Sequence, residues 1–250
     1  MTPETAKARR GLFTASQNYR LMGGSAGYVT CEFTDQHTCY ERIKTEDSYI
    51  YVPMQEAHKT KKSWKKDNTF LPDGADKYII EKVAELKDSV QDESYTSAAM
   101  QYGIDTEPMA IEAIQAAYGI TLAYTNNEQF FFNNGEWGAT PDGVEYDDDL
   151  YTVKATHEVK CPNSDTHTFN CLKVFTAADL EKHYTGYYWQ VISQLESTGA
   201  TVGYWHSYRP SHDKPLHTVT IDRDDAKINT LKHRLRLAVE RKYQYLETLK

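Results

Sequence analysis

Residues 138–162, GATPDGVEYDDDLYTVKATHEVKCP, constrain the chain more than any other stretch. Pro141 fixes its own φ and pushes Thr140 toward an extended conformation, and Asp142-Gly143 favours a tight reversal. Residues 151–161, rich in Val, Thr and Tyr, read as a strand. Residues two apart on a strand share a face, so Glu158 and Lys160 point one way and Val159 the other. If the hairpin closes, Asp142, sixteen residues before Glu158, lies near that face. Two carboxylates and one ammonium then converge on a single spot.

Such a trio suits phosphodiester hydrolysis. Carboxylate oxygens bind Mg²⁺, which shares its shell with phosphate and water, and a bound ion polarises the phosphoryl group and acidifies water. A lysine beside it orients that water or steadies the negative transition state. The plain alternative is a turn Asp and an ordinary Glu/Lys strand face in solvent, and a bare PD…ExK match does not decide between them.

Three further blocks do. Residues 9–16 (RRGLFTAS), 103–110 (GIDTEPMA) and 187–194 (YYWQVISQ), taken in order with TPDG…EVKCP at 140–143 and 158–162, span most of the chain. The pattern resembles the PD-(D/E)-x-K nucleases, and within them the phage lambda exonuclease family, the YqaJ-like viral recombinases. The resemblance implies a catalytic set of Asp142, Glu158, Lys160 and Gln190, with Asp142, Glu158, Val159 and Glu107 around Mg²⁺ (Mn²⁺ substituting). It places Arg9 and Ser16 on the 5′-terminal phosphate of DNA, in keeping with guanidinium forks and capped helix N-termini as phosphate ligands. In the family an arginine can follow the CP pair. Here NSDTH stands there, leaving His167 or Lys173 as candidates to replace it.

A net charge of −8 argues mildly against a nucleic-acid binder, but DNA feels the local field, and positive residues cluster. Residues 58–66, HKTKKSWKK, hold five lysines and a tryptophan. They fit a solvated basic loop and equally a DNA path in which Lys61, Lys62, Lys65 and Lys66 track phosphates while Trp64 stacks on a base. Cys31, Cys39, Cys161 and Cys171 lack zinc-type spacing and read as free thiols in a reducing cytoplasm, and His157 and His167 have no evident metal partner. No apolar run reaches membrane-spanning length.

Elsewhere, Thr14-Ala15-Ser16 reads as the cap of a helix over 17–22, and 33–47 as a helix with Cys39 and Ile43 inward. Residues 76–88 have a clear helical period. Residues 97–118 form a second helical stretch that either restarts near Thr106 with Pro108 in its first turn or kinks there. Residues 119–125 and 129–132 read as strands, 147–149 as a solvated acidic turn, and 185–198 as an amphipathic helix with Gln190 and Gln194 on one face. Strands at 200–208 and 215–221 precede a long helix over 224–249, with Leu231, Leu235, Val239 and Tyr243 inward. Its Lys232, Arg234, Arg236, Arg241 and Lys242 line a DNA path or solvate the helix.

These readings define one α/β domain over residues 1–250, a central mixed β-sheet flanked by helices with a restriction-endonuclease-like core. The expected activity is a Mg²⁺-dependent exonuclease on double-stranded DNA ends, in the cytoplasm of an infected or lysogenic bacterium. By resemblance it would digest 5′→3′ and leave 3′ single strands for a phage single-strand annealing protein. The resemblance implies a homotrimer. The alternatives are another PD-(D/E)-x-K endonuclease or end-trimming nuclease, and a non-catalytic DNA-end-binding recombination factor.

Overall fold

The hairpin expected around Pro141-Asp142-Gly143 closes in the computed structural model, which describes residues 3–22, 26–30, 40–44, 49–53, 62–66, 71–72, 74–88 and 97–250. From the N-terminus come helix α1 (Pro3–Ala8), strand β1 (Phe13–Thr14), helix α2 (Tyr19–Met22) and strands β2 (Ala26–Thr30), β3 (Tyr40–Lys44), β4 (Tyr49–Pro53) and β5 (Lys62–Lys66). Helices α3 (Ala75–Lys87) and α4 (Ala98–Tyr118) follow, then strands β6 (Phe132–Asn133), β7 (Trp137–Ala139), β8 (Gly143–Tyr146) and β9 (Val153–Lys160). Helices α5 (Ser164–Lys173), α6 (Ala177–His183) and α7 (Thr185–Thr198), strands β10 (Val202–Tyr208) and β11 (Leu216–Asp222), and helix α8 (Asp225–Thr248) complete the chain. It divides into two compact units, Met1–Tyr19 with Glu81–Asn229, and Arg20–Ile80 with Thr230–Lys250.

The first unit is built on a four-stranded mixed sheet in the order β11-β10-β9-β8. Strands β8 and β9 are antiparallel with Gly143 opposite His157, β9 and β10 are parallel with Glu158 opposite Trp205, and β10 and β11 are antiparallel. A parallel pair needs a long crossover, and α5, α6 and α7 supply it. Residues Ala155 to Val159 are all buried, as expected of a strand covered on both faces. On the Val159 face, Ala110, Ile111 and Ile114 of α4 pack with Leu122 and Tyr208. On the Glu158 face lies α7. A Cβ at Gly203 of β10 would sit 2.4 Å from Val191 Cγ1, so the absence of a side chain there lets helix and sheet approach. A second sheet, β1-β7-β6, pairs Phe13 with Trp137 and Phe132 with Ala139.

Helix α4 runs unbroken through Pro108. Ser97 caps it by accepting the Met100 N–H, and Gly119 ends it at φ 66°, with its N–H on the Gln115 carbonyl. Of the two readings of Pro108, the restart at Thr106 is not what forms, and Glu107 stands mid-helix. The cap expected at Thr14 differs too: Ala15–Gln17 is a 3₁₀ turn without a side-chain cap bond, followed by the short α2. Residues 119–125 make only an isolated bridge, Ala123 to Val144, because the αL cap and a positive φ at Tyr124 break extended geometry.

In the second unit β2-β5-β3-β4 form an antiparallel sheet. The helix expected over 33–47 is therefore a strand where it is described, at Tyr40–Lys44. The aromatic and β-branched residues there and in β4 suit pairing across a hairpin better than a helix. The basic run 58–66 is likewise a strand at Lys62–Lys66, with Trp64 opposite Tyr28. Leu231, Leu235 and Ala238 of α8 are buried, but Tyr243 is exposed. Arg234 and Lys242 are buried rather than solvating the helix, and Arg234 donates to the Leu21 carbonyl at 2.7 Å. No helix among the described residues is long and apolar enough to cross a membrane.

Candidate active site

The β8–β9 hairpin brings the three sequence-marked groups together. The Asp142 N–H donates to the His157 carbonyl at 3.0 Å, which seats the aspartate at the mouth of β8. Its carboxylate then turns to β9, where Oδ2 accepts the Val159 N–H at 2.8 Å. Glu158 is buried, 1% exposed, and its Oε1 accepts from both Lys160 Nζ and Gln190 Nε2, the latter at 2.7 Å. Its Oε2 accepts from Gln194 Nε2. Helix α7 presents both glutamines because four residues make about one turn. Gln194 is a partner that the catalytic set read from sequence omits; its signal there is the i, i+4 spacing from Gln190. Gln129 adds a long bond to Asp142 Oδ1 at 3.5 Å.

Glu107 reaches the same place from α4. It lines one cleft with Val159, Lys160, Cys161, Pro162 and Tyr187. Pro108 has no N–H to give the carbonyl of Ile104, which lines that cleft too. Val159 buries its side chain, so only its backbone can serve a cation. Its N–H points to the Asp142 edge, and in a ladder the carbonyl of a residue lies on the same edge as its N–H.

The electrostatics follow from three carboxylates in a partly dry place. Burial and the charge of Glu158 push Asp142 well above the usual carboxylate range. The same two causes raise Glu107. Burial opposes the charge on Lys160, but Glu158 and Asp142 outweigh it and hold the ammonium protonated. Its Nζ also lies 5.2 Å from the Tyr187 ring centroid, a cation–π contact. Burial and the Glu107 and Asp142 charges push the Cys161 thiol up to about 12, so it stays a thiol. A cluster that raises its own carboxylates is one that a cation relieves.

The remaining sequence candidates fall elsewhere. Ser16 lies in the 3₁₀ turn that packs on α7, and Arg9 follows α1. His167 is fully buried: its Nδ1 lies 2.8 Å from Ser207 Oγ and its Nε2 2.8 Å from the Lys214 carbonyl, so it is not presented to a phosphate. Cys171 and His212, which no sequence spacing had marked as its partners, stand beside it. Lys62, Trp64, Lys65 and Lys66 lie in β5, while Lys61 is outside the described residues. Arg209 was not singled out by sequence. Its guanidinium donates to the Pro162 carbonyl at 3.2 Å and lies over the Tyr102 ring.

Residues 74–201 match the family model of the YqaJ-like viral recombinase domain, a span that holds Glu107, Asp142, Glu158, Lys160 and Gln190. The chain belongs to this family. Among solved structures, the fold is shared with LHK-Exo in complex with dAMP, at TM-score 0.67 and 21% identity, covering 100% of this chain and 96% of that one. It is shared also with the alkaline exonuclease LHK-Exo from Laribacter hongkongensis at TM-score 0.67 and 20% identity, covering 99% and 96%. A phage-related exonuclease from Haemophilus somnus 129PT matches at TM-score 0.61 and 15% identity, with 96% of each chain covered. No curated protein sequence matches the chain.

Proposed function

We propose that this YqaJ-family protein is a Mg²⁺-dependent exonuclease that degrades linear double-stranded DNA from its ends, 5′→3′, and leaves 3′ single-stranded overhangs for annealing recombination. The observation that carries the reading is the convergence of Asp142, Glu158 and Lys160, with Gln190 and Gln194 fixing Glu158, on one face of β9.

The donor set fits Mg²⁺. Asp142, Glu158 and Glu107 offer carboxylate oxygens and Val159 a carbonyl, all hard ligands. When bound, Mg²⁺ supplies Lewis-acid activation of the phosphoryl group and of water. The protein does the rest. The Val159 N–H and the two glutamines hold the carboxylates in place, so little reorganisation remains at the moment of reaction. Lys160 keeps its proton and stands ready to orient the attacking water and to offset charge gathering on the phosphate. Arg9 and Ser16 take the 5′-terminal phosphate, and Arg209 takes the part the family arginine plays, with a planar fork suited to phosphate oxygens. Lys61, Lys62, Lys65, Lys66 and Trp64 are proposed as a path for the DNA. Family resemblance supports a homotrimer, an annealing partner and action in the bacterial cytoplasm.

Incubating the protein and Mg²⁺ with linear duplex labelled at either end, with and without a 5′-phosphate, and with closed circular duplex, tests this. Loss of the 5′ label from linear DNA and an intact circle are expected. Nicking of the circle would make it an endonuclease, and binding without metal-dependent nucleotide release would make it an end-binding factor.

A further inference from the structure

His167 and Cys171 are four residues apart on α5 and share one face. His167 Nε2 lies 3.6 Å from Cys171 Sγ. The His212 ring, from the β10–β11 loop, stands edge-on to that of His167 with centroids 4.8 Å apart and planes at 76°. One ligand atom from each of the three lies within 4.8 Å of the other two. None has a part in the proposed hydrolysis.

We propose that His167, Cys171 and His212 form a second metal site, selective for Zn²⁺ or a similarly soft divalent cation, that clasps α5 to the β10–β11 loop. With Zn–N of about 2.0–2.1 Å and Zn–S of about 2.3 Å, neighbouring ligand atoms of a tetrahedral site stand roughly 3.3–3.6 Å apart. The His167–Cys171 edge already has that length. His212 must close by about 1 Å, and it sits on a loop rather than in the sheet.

The surroundings suit metal ligation. A ligating histidine is held by a bond from its other nitrogen. With Nε2 toward the ion, His167 Nδ1–H donates to Ser207 Oγ, which Asn170 Nδ2 also holds at 2.9 Å. Whichever nitrogen His212 offers, the other keeps a partner: Nδ1 has the Lys214 carbonyl at 3.1 Å and Nε2 the Thr168 hydroxyl at 3.3 Å. In the metal-free state His167 carries its proton on Nε2 and donates to the Lys214 carbonyl instead, so both states are satisfied. Cys171 and His212 are half-buried, which leaves a way in. Two imidazoles and a thiolate, with no carboxylate, favour Zn²⁺ over Mg²⁺, so the two sites sort their ions by chemistry. Helix α5 starts just beyond Pro162, and Arg209 of the same loop holds the Pro162 carbonyl. The clasp would therefore stiffen the segment that leaves the catalytic strand.

The full chain is titrated with Co²⁺ and then Zn²⁺ in excess Mg²⁺, which occupies the carboxylate cluster. A thiolate-to-cobalt charge-transfer band should appear, and Zn²⁺ should displace it and raise the unfolding temperature. Cys171→Ser should abolish the band, and Cys171→Ser and His212→Gln should each weaken Zn²⁺ binding by about tenfold or more. His212→Gln lies on a loop, so its fold is expected to persist, checked by its metal-free unfolding temperature. Absence of the band, its survival in Cys171→Ser, or Zn²⁺ affinity unmoved in His212→Gln would each overturn the site while leaving the nuclease reading intact.

Discussion

The two faces of β9 are both buried at the middle of the strand and chemically opposite. On one face Lys160 keeps its charge, held beside Glu158, whose oxygens accept from Gln190 and Gln194, and near Asp142 across the hairpin. On the other face His157 stacks on His206, with centroids 5.2 Å apart and planes at 5°, and its Nδ1 lies 3.0 Å from His206 Nε2. His206 in turn meets the Thr218 hydroxyl, which also accepts from Tyr118. Burial lowers the pKa of His157 to about 4 and that of His206 well below its usual value. One strand thus shows both answers to burying a titratable group. Where ionic and amide partners are supplied, charge is retained at a cost in stability and becomes available for chemistry. Where only neutral partners are supplied, charge is given up and the face serves packing.

Breaking the charged face should have the largest effect. Asp142→Ala or Glu158→Gln should remove part of the ion's shell and lower cleavage by on the order of 1000-fold or more, since metal polarisation lowers the barrier by several kcal/mol. Near-wild-type turnover by either purified variant would contradict the assignment. Gln194→Leu leaves every proposed ligand present but frees one oxygen of Glu158. It should weaken Mg²⁺ affinity or turnover by about 10- to 100-fold, as loss of a partner behind a metal ligand does, and an unaltered Mg²⁺ titration would make Gln194 a packing residue.

The neutral face should answer to pH rather than to metal. The folded pKa of His157 is depressed from 6.5 to about 4, and that of His206 is depressed too. The folded state therefore binds fewer protons than the unfolded one below about 6.5, and its stability falls as pH drops from there toward 4. His206→Asn should flatten this dependence by roughly 1–2 kcal/mol near pH 5. Denaturant melts of both proteins at about pH 7 and pH 5 measure it, and parallel losses in the two would show that the histidines do not share the load.

Much of the fold was legible because its signals are local. The turn chemistry of Pro141-Asp142-Gly143, the period-2 alternation through Glu158 and Lys160, and the helical periods of α3, α7 and α8 need no distant partner. The same alternation announced which side chains would share a face. What was missed depends on partners far along the chain. Strands β3 and β5 owe their conformation to pairing with β4 and β2, and in a short isolated window the basic run of β5 has the composition of a loop. Ile120 to Ala123 has strand composition, but the αL cap at Gly119 and the positive φ at Tyr124 leave it no ladder. His212 follows Cys171 by too many residues for any ligand spacing to show, and only the β10–β11 loop brings it to α5. Arg209 reaches Pro162 by the same route.

The most direct test of the account separates the two charges on one face of β9. Single-turnover cleavage of linear duplex DNA and Mg²⁺ titrations are run on Lys160→Met beside Glu158→Gln. Removing the ammonium leaves every oxygen ligand in place, so Lys160→Met should bind Mg²⁺ and DNA ends normally while turnover falls by on the order of 100- to 1000-fold. Glu158→Gln should lose Mg²⁺ affinity as well. Normal cleavage by Lys160→Met, or a loss of Mg²⁺ binding as deep as that of Glu158→Gln, would contradict the division of labour on this strand.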